Sequence, residues 1–147
     1  MAAMRSAEAT WKGDLLHGEG RVKPSGGSWP EVGTSWSART EQLGGRTSPE
    51  ELLAAAHASC FSMALSNTLA KMQLPPTEVA VKAVATFDKV GDGWKVTTMD
   101  LHVEGTVPGA TAAQFEEAAK GASTGCPISK ALAGNVEIRV HPKLRGG

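Results

Sequence analysis

Two cysteines, Cys60 and Cys126, are the residues of this 147-residue chain best equipped for covalent chemistry. A thiolate is a strong nucleophile, and sulfur can be oxidised and reduced reversibly. His57 precedes Cys60 by three positions, so on a helix the two share a face, and a nucleophile and base pair is one reading. A core histidine is another. Cys60 lies in an apolar run, A-A-A-H-A-S-C-F-S-M-A-L, where an unaided thiol has its pKa raised and is inert, so reactivity calls for a nearby cation. Arg39 is the candidate, and an ion pair with Glu41 is its bland alternative. Cys126 opens G-C-P-I-S-K, a helix start marked by Pro127, where free backbone amides favour a thiolate. A metal site from His57, Cys60 and Cys126 is conceivable, but the usual ligand spacings are absent and only three soft ligands are in sight. Both cysteines could also be small hydrophobes in a core.

The element that must position Cys60 runs from Thr47 to Leu69. Ser48 is a good N-cap, Pro49 suits the first helical position, and Glu51 completes a capping box. Leu52, Leu53, Ala54, Ala55, Ala56, Ala58, Phe61, Met63, Ala64, Leu65 and Leu69 leave almost no polar face, which predicts a long helix surrounded by protein and ending near Met72, before Pro75-Pro76. Upstream, Ala7 to Val22 reads as two short strands around Gly13-Asp14, and Thr34 to Gln42 as a strand carrying Arg39. Downstream, Thr77 to Val90 and Trp94 to Val107 form a hairpin around Gly91-Asp92-Gly93, with Val79, Val81, Ala83 and Ala85 on one side. Thr111 caps a helix up to Gly121, a short helix follows with Cys126 as its N-cap, and Asn135 to Leu144 closes the chain as a strand with Val136, Ile138 and Val140 inward. Strands and helices do not alternate regularly, so the fold class is α+β, a single domain over 1–147.

Composition excludes several classes. With 15 basic and 15 acidic residues the net charge is zero, which gives no footprint for nucleic acid or a membrane surface. The first residues carry no apolar core of signal-peptide type, and no uninterrupted apolar run reaches membrane-spanning length, so a cytoplasmic protein is expected. In that compartment a pair of cysteines points to redox, catalytic or metal chemistry. Trp11, Trp29, Trp36 and Trp94 are read as packing residues rather than a stacking platform for bases.

The segments S-P-E-E-L-L-A-A-A-H-A-S-C-F-S-M-A-L and G-C-P-I-S-K-A-L resemble the OsmC/Ohr family of organic hydroperoxide reductases, on the OsmC side. The W-K-G-D start, the segment with Arg39, the hairpin, V-P-G and the last strand follow in family order. The resemblance implies antiparallel sheets around a long buried central helix in an intertwined homodimer, with the active sites at the subunit interface. It implies a thiol peroxidase in which Cys60 is the peroxidatic cysteine and Cys126 resolves it as a disulfide, while Arg39 and Glu50 match the family's arginine and the glutamate that holds it. It further implies an organic hydroperoxide substrate and a dithiol reductant, lipoylated proteins among them, and no cofactor.

Spacing adds to this. Glu50 and Cys60 are ten residues apart on one helix, about 15 Å by the usual rise. If both serve one site, Glu50 from one subunit and Cys60 from the other, on central helices side by side, is the simplest geometry. Phe61, Met63, Leu52 and Leu53 near the thiol favour an alkyl hydroperoxide. The rivals are a non-enzymatic stress dimer with structural or redox-sensing cysteines, and a reductase of other thiol-reactive electrophiles.

Overall fold

The computed structural model describes residues 1–146. The order is β1 (Ala7–Lys12), β2 (Glu19–Pro24), β3 (Val32–Thr34), α1 (Trp36–Thr40), α2 (Pro49–Lys71), β4 (Glu78–Val90), β5 (Gly93–Thr106), α3 (Ala112–Gly125), α4 (Pro127–Leu132) and β6 (Glu137–Gly146). The chain divides into two compact units, Met1–Leu52 and Leu53–Gly147, with the boundary inside α2.

The first unit is an antiparallel sheet in the order β1-β2-β3, followed by α1 and the start of α2. Here the expected strand from Thr34 to Gln42 is not formed. Its alternation is real but short, and Ser35 takes over: its hydroxyl accepts the Ala38 N–H at 3.1 Å and caps a one-turn helix, so Arg39 sits on α1 and not on a strand. At the start of α2, Ser48 Oγ accepts the Glu51 N–H at 3.1 Å as expected. The other half of the capping box is not made, because the Glu51 carboxylate instead accepts the Thr47 hydroxyl at 2.7 Å.

The second unit builds one sheet in the order β4-β5-β6. β4 and β5 form the expected hairpin. β6 lies parallel to β5, a pairing that the intervening helices α3 and α4 make possible, so this sheet is mixed rather than purely antiparallel. A bulge at Thr86/Phe87 leaves one extra residue in β5, which resolves a mismatch in the alternation. Val96 lies before the bulge and packs on the core, and Met99, Leu101 and Val103 beyond it do so too, although simple alternation puts Val96 on the opposite face. Gly105 continues the buried row: a Cβ there would collide with the Phe115 ring of α3, so the glycine lets helix and sheet approach.

Within this unit α2 buries a stripe at four-residue spacing, His57, Phe61, Leu65 and Leu69. Each large apolar member stabilises the fold by roughly 1.5 to 3 kcal/mol through burial. The helix ends by its own geometry: the Leu74 N–H reaches Leu69 O at 2.9 Å and the Gln73 N–H reaches Ala70 O at 3.0 Å, with Gln73 left-handed at φ 63°. The expectation of a helix surrounded by protein fails for the single chain. Ala55, Ala56, Ser59, Met63 and Ala70 are exposed, Met63 by 66 %, and no Asp, Glu, Lys or Arg occurs between Leu52 and Ala70. By length and composition α2 could also cross a membrane, yet its buried stripe belongs to the protein core.

α3 runs four residues past the expected stop at Gly121, because Ala118, Ala119 and Ala122 bury a continuous face that outweighs the low helix propensity of glycine. Thr111 and Gln114 form a complete capping box at its start.

Candidate active site

Cys126 is where α3 ends and α4 begins: its N–H bonds Ala122 O at 2.9 Å, and its carbonyl accepts the Lys130 N–H at 3.0 Å. This double role fixes its position to both helices and turns its side chain into the core, where it is wholly buried. Cys60, on α2, is only partly buried. The two sulfurs are 3.1 Å apart and both are free thiols. A disulfide needs about 2.05 Å, so closure requires an approach of about 1 Å.

The two thiols ionise as a pair. Burial pushes the Cys60 thiol up, the Ile128 N–H offsets this only in part, and the bond to Cys126 and its charge add to the rise. Burial also opposes ionisation of Cys126, but the Ser129 N–H, the Cys60 thiol, the Ser129 hydroxyl and the Ile128 N–H together outweigh it and hold that thiol below its ordinary value. With both protonated, Cys126 donates to Cys60. A cation is not among the groups acting on Cys60 here.

His57 does not pair with Cys60. Its Nε2 lies 2.7 Å from the Ser129 hydroxyl, 72 positions away in sequence, and its Nδ1 has no hydrogen-bond partner among the described residues. Burial lowers the pKa of His57, so the ring is neutral near pH 7. Ser129 is the site residue that the sequence reading missed. It stands three residues after Cys126, on the first turn of α4, a spacing that marks groups facing an N-cap.

The first unit holds the other two expected residues. Arg39 Nη2 donates to Glu50 Oε1 at 2.6 Å, and Nε lies 3.1 Å from Oε1 and 3.2 Å from Oε2. This is a forked, charge-assisted contact on a carboxylate that is 7 % exposed. Arg39 therefore pairs with Glu50, eleven positions along, and its guanidinium also lies 5.6 Å over the Trp36 ring. Beside Arg39 is a cleft of about 170 Å³ walled by Trp11, Leu15, Trp36 and Pro49. Phe61 is fully buried in the core that also holds Cys126 and against which Cys60 packs, whereas Met63 is exposed. Among the described residues no group of three or more His, Cys, Asp or Glu side chains is arranged to hold a metal ion.

Residues 42–141 match the model of the OsmC-like protein family. The chain is 36 % identical to the peroxiredoxin OsmC of Escherichia coli, over 94 % of this chain and 96 % of that one. It is 32 % identical to the organic hydroperoxide resistance protein OhrA of Bacillus subtilis, over 76 % of this chain and 77 % of that one. Its fold matches the crystal structure of OhrB, an organic hydroperoxide resistance protein of Bacillus subtilis, with a TM-score of 0.75 at 23 % identity, covering 94 % of this chain and 98 % of that one. A match of that extent to the family model, with relatives this similar along most of their length, shows that the chain belongs to the OsmC-like protein family.

Proposed function

We propose that the protein is a thiol-dependent peroxidase that reduces organic hydroperoxides to alcohols. Relatives named for peroxiredoxin activity and for organic hydroperoxide resistance support peroxidase-type function. The observation that carries the mechanism is the pair of reduced sulfurs, 3.1 Å apart and drawn from α2 and the α3–α4 junction. Cys60 attacks the terminal peroxide oxygen; the O–O bond breaks, the alkoxide leaves as alcohol after taking a proton, and Cys60 becomes a sulfenic acid. Cys126 then attacks that sulfur, the S–O bond breaks, water leaves and the Cys60–Cys126 disulfide forms. A dithiol, such as a lipoyl group, returns both thiols. Access supports Cys60 for the first step: Cys60 is partly exposed and Cys126 is wholly buried, which favours the approach of a bulky hydroperoxide to Cys60. The lower pKa of Cys126 fits the second step, in which it is the nucleophile.

The cation for Cys60 is Arg39 of a second copy in this proposal. The span from Glu50 to Cys60 along α2, about 15 Å, favours a site that joins the Arg39–Glu50 fork of one chain to the sulfur pair of another, with two α2 helices packed side by side. The exposed, uncharged faces of α2 support that packing, and the family match, which runs without a break through α2 over residues 42–141, favours one functional domain. The expected variant is Met63→Glu: a charge on the exposed face yields a folded monomer by light scattering, with peroxidase activity reduced at least about tenfold. A dimer with full activity would remove this arrangement.

The test of function is consumption of cumene hydroperoxide with excess dihydrolipoamide. Sustained turnover is the expected result, and oxidation that stops after one equivalent would favour a redox sensor instead.

A further inference from the structure

Two of the four histidines stand next to each other on the β4-β5-β6 sheet, on the face opposite the core side chains Leu101, Val103 and Val140. His102 of β5 and His141 of β6 are direct partners in the parallel register. Their rings are stacked, with centroids 4.8 Å apart and planes 17° from parallel. Nothing in the peroxidase reading uses them. We propose that His102 and His141 chelate a divalent transition-metal ion, Zn(II) or Cu(II), which bridges the two strands with water completing its coordination. The inference stands independently of the peroxidase reading.

Imidazole nitrogen suits ions of this class. A metal–nitrogen bond is about 2.0 to 2.1 Å and the ring centre lies about 1.1 Å beyond the nitrogen, so two imidazoles bound at about 90° to 110° have centroids about 4.5 to 5.2 Å apart. The observed separation falls within that interval. The rings therefore need only turn, on side chains open to solvent, for one nitrogen of each to converge on an ion.

Asp100 settles which nitrogen of His141 is available. Its carboxylate lies 2.8 Å from Nε2, and the contact with His141 holds its carboxyl below the ordinary value, so it is an acceptor at neutral pH. Nε2 then carries the hydrogen and the Nδ1 lone pair is left for the ion. A carboxylate on the far ring nitrogen is the usual support of a metal-bound histidine, fixing its tautomer and raising its basicity. His102 makes no side-chain hydrogen bond among the described residues, so its ring can turn without breaking one. Asp100 acts through His141 rather than as a ligand, which leaves two protein ligands, in keeping with the absence of a three-residue metal cluster among the described residues. Charges reach the pair from all three strands: Lys82 is the register partner of His102 on β4, Glu104 follows on β5, and Arg139 and Lys143 flank His141 on β6. Arg139 lies 3.7 Å from Asp100 and Arg145 3.4 Å from Glu104, so both carboxylates are partly neutralised and the imidazoles supply the affinity.

The experiment titrates Zn(II) and Cu(II) into the full chain carrying Cys60→Ser and Cys126→Ser, so that thiols do not compete. Calorimetry gives affinity, and electron paramagnetic resonance of the Cu(II) form counts the nitrogens. One ion binds per chain, Cu(II) more tightly than Zn(II), with splitting from two imidazoles. His102→Gln and His141→Gln each weaken binding at least about tenfold, and Asp100→Asn weakens it about tenfold through His141. His17→Gln, an exposed histidine elsewhere, changes nothing. Zn(II) at about a hundred times its dissociation constant raises the melting midpoint by about 5 °C. The melts are repeated without the cysteine substitutions, where His102→Gln and His141→Gln remove the same part of the Zn(II) shift. Undiminished binding in either histidine variant, splitting from a single imidazole, or no binding up to about 1 mM metal overturns the proposal.

Discussion

Replacing Cys60 by serine abolishes hydroperoxide consumption, with a loss of about 10⁴-fold or more in turnover, on the scale seen when an enzyme loses its nucleophile. The size follows from the proposed division of labour between the sulfurs. Cys126 is close enough to oxidise with Cys60, but it is wholly buried, and its lowered pKa does not bring it into contact with a substrate that cannot enter. Serine preserves volume and keeps the Cys126 environment nearly intact, so the loss reports chemistry rather than packing. Cys126→Ser behaves differently: it consumes about one equivalent and then accumulates a sulfenic acid on Cys60. Stopped peroxide assays on both variants separate the roles. Consumption of one equivalent by Cys60→Ser, with a sulfenic acid on Cys126, would show that the sulfurs are interchangeable and would end the assignment.

Arg39→Lys is the second large effect, an expected fall of about 10² to 10³ in kcat/KM, comparable to losing one donor from a site built for a developing oxyanion. Ionisation alone cannot account for so much. Lysine retains the positive charge that favours the Cys60 thiolate, whose pKa burial raises, so the thiolate fraction changes much less than the rate. The remainder must come from the transition state, where negative charge moves to the leaving alkoxide. Arg39 is suited to this because Glu50 grips it by Nε and Nη2, fixing the plane of the guanidinium, and Trp36 lies against it. Lysine keeps the charge and loses the fork. The apolar walls of the neighbouring cleft, Trp11, Leu15 and Trp36, suit an alkyl group. Steady-state kinetics over cumene hydroperoxide and hydrogen peroxide provide the check: Arg39→Lys near full rate removes the transition-state role, and an equal loss at saturating and low substrate confirms it.

The parts that were legible in the sequence are those with strong local signals. Ser48-Pro49 and the run of small apolar residues fixed α2 nearly to the residue, the glycine turn located the hairpin, and Pro127 placed Cys126 at a helix start. The parts that were not legible depend on contacts that no window of sequence contains. Arg39 fell on a helix because the Ser35 hydroxyl captured the Ala38 N–H, a choice that a nine-residue alternation cannot exclude. The turn of β5 at its bulge and the parallel placement of β6 are set by register and crossover. The link from His57 to Ser129 joins residues on α2 and α4. Spacing in the sequence left His57 as either a partner of Cys60 or a core histidine, because it shows which residues share a face but not what that face meets. The apolar character of α2 was read correctly, and its meaning changed: one stripe serves the core of its own chain, and the remainder is left exposed.

The most direct measurement is the thiol count of the wild-type protein before and after one equivalent of cumene hydroperoxide, with the products identified by mass. The account predicts that two thiols fall to none together, that cumyl alcohol appears in equal amount, that the mass falls by two hydrogens per chain, and that dihydrolipoamide restores both thiols. Two thiols surviving the oxidant, or one lost as a stable sulfenic or sulfinic acid with Cys126 still free, would contradict it.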